Sequence, residues 1–159
     1  MNKYTLREKI EKNLEILNNG LVEKEKVMKL GLLSILSGEN MILVGPPGTA
    51  KSEISRRLRE ILADSGSETY FEYLFTKFTT PEEIFGPLSI KQLQNDKFER
   101  NTQGYMPSSR IVFLDEIFKA NSSILNTLLT ILNERVFHNG LKREKTPLIS
   151  LIGASNELP

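Results

Sequence analysis

Lys51 and Ser52 close the run Gly45-Pro-Pro-Gly-Thr-Ala-Lys-Ser52, whose residue types suit it to holding a polyphosphate. A triphosphate asks for several backbone N–H groups converging on its oxygens, a helix N-terminus aimed at it, one long cation and a hydroxyl for Mg2+. Gly48, Thr49, Ala50, Lys51 and Ser52 can supply the amides, Lys51 the cation and Ser52 the hydroxyl. Pro46 and Pro47 donate no N–H and stiffen the approach. Ala50 stands where the pattern G-x-x-x-x-G-K-S/T places its last glycine. A helix-entry backbone at negative φ is expected there, and it would accommodate the extra Cβ.

Two further groups fall at places where such a ligand would meet them. Asp115-Glu116 ends the apolar run Ile111-Val-Phe-Leu114, and ligands of open α/β sheets bind at the carboxyl ends of strands. Asp115 can hold Mg2+ through its water shell, while Glu116 can accept a proton from, or orient, an attacking water. Alone, the pair would read as solvated carboxylates at a helix start. Behind a buried strand and downstream of a phosphate loop, the chemical reading outweighs it. Asn156 follows Leu151-Ile-Gly-Ala-Ser155, where an amide offers a donor and an acceptor to a terminal phosphate and a water. His138, beside Asn139-Gly140 and without a second ligand nearby, is assigned no role. Arg135 reads either as a cation at a helix C-terminus or as an intersubunit contact, and Arg56, Arg57 and Arg59 as a solvated face.

These groups need a scaffold that brings strand ends together. Leu6, Ile10, Leu14 and Leu17 predict a first helix, stopped by Asn18-Asn19-Gly20. A second helix spans 23–37 with Val27, Leu30, Leu32 and Leu33 inward. Met41–Val44 reads as a buried strand, followed by a helix to about Ala63 with Ile54, Leu58, Ile61 and Leu62 as its stripe. Asp64–Ser67 turns, and Tyr70–Phe75 is a second strand. Thr80-Pro81-Glu-Glu83 is a helix start, Ile111–Leu114 a buried strand, Asn121–Glu134 a helix and Leu148–Ala154 the last strand. The alternation predicts an α/β fold: a mainly parallel sheet with helices on both faces. Two hairpin-like insertions interrupt it, one over Lys97–Met106 centred on Asn101–Gly104, the other at Asn139-Gly140.

Composition narrows the classes. A chain of 159 residues can bury one core and reads as one domain. Its net charge of +1 supplies no field toward nucleic acid or anionic membrane. With no cysteine, neither disulfides nor thiolate metal sites arise. The charged N-terminal pattern lacks a signal-peptide core, and no run of ~18 apolar residues occurs, so the expected location is cytoplasmic.

Together, Gly45–Ser52, Ile111–Glu116 and Gly153-Ala-Ser-Asn-Glu-Leu-Pro159 resemble the Walker A, Walker B and sensor 1 segments of AAA+ ATPases, a P-loop NTPase class. Thr79-Thr-Pro-Glu-Glu-Ile-Phe-Gly-Pro-Leu88, Gly104-Tyr-Met-Pro107 and Leu128-Leu-Thr-Ile-Leu-Asn-Glu-Arg135 are similar to its MoxR branch, and within that to the RavA-type regulatory ATPases. The resemblance covers nearly the whole chain. It implies a three-layer nucleotide-binding core using ATP and Mg2+, with helices over 1–40 and the P-loop αβ core over 41–159. It further implies a hexameric ring, chaperone-like remodelling of a protein, and a partner bearing a von Willebrand factor A domain. Leu21 and Val22 would contact the adenine, and the insertions would be the helix-2 and pre-sensor-1 inserts of the wider clade. Such enzymes continue past sensor 1 with an arginine finger, a fifth strand and a helical lid. The chain is therefore expected to be a core truncated at the C-terminus, with Met41–Val44 left as an apolar edge.

Two other readings stand beside the ATPase. One is a binding or assembly module that holds nucleotide without significant turnover. The other, a motor on nucleic acid, ranks last because the first insertion has few cations and the net charge is near neutral.

Overall fold

The structure, a computed structural model, describes residues 5–60 and 70–157. Ile61 and Leu62 of the predicted stripe and the turn at Asp64–Ser67 lie outside the described residues.

Helix α1 (Leu6–Asn18) begins at Thr5, whose hydroxyl accepts from Glu8 N–H while the Glu8 carboxylate accepts from Thr5 N–H, a reciprocal capping box. Helix α2 (Glu25–Ser37) ends on Gly38 at φ +72°. Strand β1 (Met41–Val44) feeds helix α3 (Lys51–Glu60), followed by strand β2 (Tyr70–Leu74). Helix α4 (Pro81–Phe85) starts where predicted, with Pro81 in its first turn, and Thr80 and Glu83 close a capping box there. A single helical turn, α5 (Ile90–Leu93), precedes strand β3 (Ile111–Asp115) and helix α6 (Ser122–Glu134), which Asn121 caps through Ile124 N–H. Strands β4 (Val136–Asn139) and β5 (Lys142–Lys145) form a separate antiparallel hairpin, and β6 (Ser150–Ser155) completes the main sheet.

That sheet has the order β1-β6-β3-β2 and is parallel throughout. Alternate residues of its central strands enter opposite cores, as the period of two requires. Val112, Leu114 and Leu151 join Phe85, Met106, Ile124, Leu128 and Phe137 on one face. Ile111, Phe113, Ile152 and Ala154 join Met28, Leu32, Ile54 and Leu58 on the other. These are the three layers predicted.

Four expectations are corrected here. Strand β1 is not the buried strand that its apolar run suggested; it is the apolar edge that the family resemblance implied, with Ile42 52% and Val44 48% exposed. In α2 the inward face is Met28, Gly31, Leu32 and Ile35, whereas Leu30 and Leu33 are exposed. Gly31 permits this rotation, because a Cβ there would sit 2.4 Å from Leu58 Cδ1. Arg57 is not solvated: it bridges Glu53 and donates to the carbonyls of Leu17 and Asn19, tying α3 to the end of α1. The first insertion is not a β-hairpin. Its ends meet at one antiparallel bridge, Leu88 with Arg100, flanked by Ser89 N–H to Glu99 O and Asn101 N–H to Pro87 O, both 2.8 Å. The loop so closed carries α5, and Asn101–Gly104 lies at and beyond its closing bridge.

The second insertion is the predicted hairpin, and it braces the first. Asn139, 4% exposed, accepts from Arg100 N–H at 2.6 Å and donates to Arg100 O at 3.1 Å, so one side chain serves as a strand partner. Lys142 pairs with Glu99 at 2.7 Å, and Gly140 lies so close to Phe98 that a Cβ would be 2.7 Å from its carbonyl oxygen. Arg135 ends its own helix as expected, its backbone N–H donating to Ile131 O at 2.9 Å, while its guanidinium reaches a second helix. It takes a left-handed φ of +55° after α6 and donates to Gly38 O at 2.7 Å, closing the C-terminus of α2.

Candidate active site

Parallel pairing puts the carboxyl ends of β1, β6 and β3 side by side: Val44 is level with Ser155, and Leu114 with Gly153. The loop after β1, Asp115-Glu116 after β3 and Asn156 after β6 therefore converge. They line a cleft of about 460 Å3 formed by Pro47–Glu53, Leu74, Asp115, Glu116 and Asn156.

Within the loop, Gly48 and Ala50 both have positive φ, +79° and +62°. Alternating left-handed residues turn successive N–H groups to one side, the geometry of an anion-binding concavity. The expectation of negative φ at Ala50 is thus wrong. The left-handed turn continues to the threshold of α3, which is why a glycine is the common choice there and why alanine is strained. Thr49 Oγ1 donates to Pro46 O at 2.9 Å and stiffens the turn from within.

Lys51 Nζ reaches back across the loop, donating to Gly45 O at 2.7 Å and Pro46 O at 3.2 Å. Gly45 and Pro46 thus contribute carbonyls that place the cation. Its third bond, 2.8 Å, goes to Asn156 Oδ1. The Asn156 amide in turn donates to Glu116 Oε1. Lys51, Asn156 and Glu116 therefore form one continuous line along the three strand ends. Glu116 is 9% exposed and itself left-handed, φ +54°. Its backbone N–H bonds Asp115 Oδ1 at 2.9 Å, and its Oε2 lies 3.2 Å from Lys119 Nζ.

Ser52 and Asp115 offer a hydroxyl and a carboxylate in the same cleft. Among the described residues no group of three or more His, Cys, Asp or Glu could hold a metal alone. A hard, oxygen-only pair fits Mg2+ shared with phosphate oxygens, the usual division of ligands for that ion.

Leu21 and Val22 are not among the residues lining this cleft. Leu21 packs on the α1–α3 core and Val22 is 81% exposed. His138 is exposed on β4, away from the strand ends. Lys119 is the site residue that motif reading missed. Its signal was its spacing of three from Glu116, which becomes meaningful only because Ile117–Lys119 is a 3-10 turn.

Over residues 8–159 the chain matches the family described as the MoxR domain in the MoxR-vWA-beta-propeller ternary systems. Two uncharacterized proteins of Methanocaldococcus jannaschii, MJ0079 and MJ0812, are 55% and 54% identical to it, over 95% and 94% of this chain and 39% of each of theirs. The structural protein ORF618 of Acidianus two-tailed virus is 32% identical over 80% of this chain and 21% of its own. Among solved structures, a "putative ATPase" from Cytophaga hutchinsonii has a TM-score of 0.69 at 20% identity, over 95% of this chain and 44% of that one. NtrX from Brucella abortus has a TM-score of 0.60 at 17% identity, over 96% and 35%. Both share the fold. The chain spans 39% of the length of the Methanocaldococcus proteins. The family description does not reach the narrower RavA resemblance, and supports the MoxR level. With a phosphate loop, a strand-end acid pair and a strand-end asparagine on one edge of a parallel sheet, and a family match over nearly its whole length, the chain belongs to the MoxR family of AAA+ ATPases.

Proposed function

We propose that this domain binds ATP with Mg2+ and hydrolyses it, driving chaperone-like remodelling of a protein partner. The observation that carries the reading is the line Lys51–Asn156–Glu116 across the ends of β1, β6 and β3. A phosphate-binding cation and a carboxylate base at the two ends of one asparagine are the spacing that phosphoryl transfer to water requires.

In this reading the amides of Gly48 to Ser52 and Lys51 Nζ bind and orient the phosphates. Ser52 and Asp115 would hold Mg2+, which would supply charge neutralisation at the phosphate oxygens. Lys51 exchanges Asn156 for phosphate, leaving Asn156 to orient the water. Glu116 takes the proton of that water at its carboxylate. Leu21 and Val22 are the proposed adenine contacts. Supporting this, Arg57 bonds Leu17 O and Asn19 O and so holds the end of α1 against the helix that begins at the phosphate loop.

The same reading includes a hexameric ring, a partner with a von Willebrand factor A domain and a cytoplasmic location. The name of the matching family supports the partner, and no described helix is long and apolar enough to cross a membrane. A finger cation, fifth strand and lid are proposed to lie in sequence that the longer relatives contain. One observation favours the alternative, a module that holds nucleotide without significant turnover: among the described residues lining the cleft, Lys51 is the one cation. Turnover in this account needs a second cation from a neighbouring copy, worth ~1,000-fold or more.

Phosphate release by the full-length natural protein tests the proposal. Glu116→Gln is expected to lower kcat by about 100-fold or more with ATP affinity near parental, because the amide keeps shape and loses basicity. Unchanged turnover would remove Glu116 from the mechanism.

A further inference from the structure

We propose that Lys119 is a positioning residue for the Glu116 carboxylate, holding it in line with Asn156. The inference rests on the ATPase reading for its kinetic consequence, and on geometry alone for its structural one.

Strand β3 ends at Asp115, and Glu116 leaves it through a left-handed turn at φ +54°. Left-handed backbone swings the side chain off the strand direction, so the strand itself does not aim this carboxylate. Residues Ile117–Lys119 then form a 3-10 turn with Glu116 as its N-cap, closed by Lys119 N–H to Glu116 O at 2.8 Å and Ala120 N–H to Ile117 O at 3.1 Å. The tight turn returns the chain within three residues, so Lys119 comes back beside Glu116, and its Nζ lies 3.2 Å from Glu116 Oε2.

The other carboxylate oxygen accepts from Asn156 Nδ2. Both oxygens are thus held, one from each side, and the Glu116 side chain is 11% exposed while that of Lys119 is 49% exposed. The two holds differ in what happens to them. Asn156 also accepts from Lys51, so phosphate drawing Lys51 away, or a water engaging the amide, loosens that side. Lys119 has no part in the phosphate loop. It keeps the carboxylate facing the cleft while the Asn156 side of the line is rearranged, which separates aiming the base from binding the nucleotide.

The test combines ATP turnover of the full-length natural protein with NMR of the ATP-free chain, following the Asn156 side-chain amide assigned through its loss in Asn156→Ala. Lys119→Met is expected to lower kcat by about 10-fold or more while KM stays within about twofold, since a displaced reacting group costs rate and not binding. Lys119→Arg, which restores a cation of similar reach, is expected to recover most of kcat. In the ATP-free chain the Asn156 amide resonance should move in Lys119→Met and stay in place in Lys119→Arg. Lys119→Ala repeats the measurement if the Met variant does not fold. Parental kcat in Lys119→Met, a loss confined to KM, failure of Arg to rescue, or an unmoved amide resonance overturns the proposal. A parent that releases no phosphate would instead count against the ATPase reading, with the amide resonance still deciding the role of Lys119.

Discussion

Ala50 holds a left-handed backbone with a methyl group that this region disfavours, at a cost of about 1 kcal/mol. Ala50→Gly is therefore expected to stabilise the protein by about 1 kcal/mol and to raise its thermal midpoint by about 2–4 °C, with ATP affinity not reduced. A lower midpoint in thermal unfolding would show that the loop does not adopt this backbone. That Lys51, Ser52, Asp115, Glu116 and Asn156 share one cleft was legible because each follows the carboxyl end of a strand, directly or through the loop after β1, and the parallel sheet fixes where strand ends go. What was not legible at this scale depends on local φ. The strain at Ala50, the left-handed exit of Glu116 and the return of Lys119 beside it arise from backbone turns that residue type does not announce. Arg57 was misread for a related reason, since its partners are backbone carbonyls 38 and 40 residues away.

The two insertions act as one element because Asn139 replaces a missing strand for Arg100. Asn139→Ala leaves a half-buried N–H and C=O without that partner, and is expected to destabilise the protein by about 1–3 kcal/mol. Gly140→Ala should also destabilise, because its φ of +62° and the Phe98 carbonyl both oppose a Cβ. Chemical denaturation of the two variants checks this. Parental stability in both would mean that the insertions are not braced together. The second insertion was legible from Asn139-Gly140, a local turn signal. The first was not, because its polar Asn101–Gly104 stretch resembles a turn while the chain reverses earlier, around a single turn of helix that Ser89 caps. The main strands and long helices followed their apolar periods. The inward face of α2 did not, because Gly31 contributes to packing without contributing hydrophobicity.

Across the whole molecule, β1 presents Ile42 and Val44 at an open sheet edge beside the phosphate loop. Exposed apolar edges associate, so Ile42→Lys is expected to reduce concentration-dependent scattering of the 159-residue chain, and scattering equal to the parent's would place association elsewhere. On the opposite edge, Tyr70 packs its ring against the α1–α3 core, and burial pushes its hydroxyl up to about 12. Because the unfolded chain ionises this group near 10, its contribution is present below that pH and is lost as pH rises from about 10 to about 12. Tyr70→Phe should flatten the alkaline loss of stability in that window, and an unchanged alkaline profile would assign the loss to other groups.

The central claim, that the converging strand ends form a site for Mg-ATP, is tested most directly by calorimetric titration of ATP with Mg2+ into the chain and its Lys51→Ala variant. Lys51 bonds only loop carbonyls and Asn156 in the described hydrogen bonds, so its removal should leave the two cores folded. One saturable site in the parent, and no detectable binding in a folded Lys51→Ala, is the predicted result. Equal affinity in the two proteins would contradict the account and move the nucleotide out of this cleft.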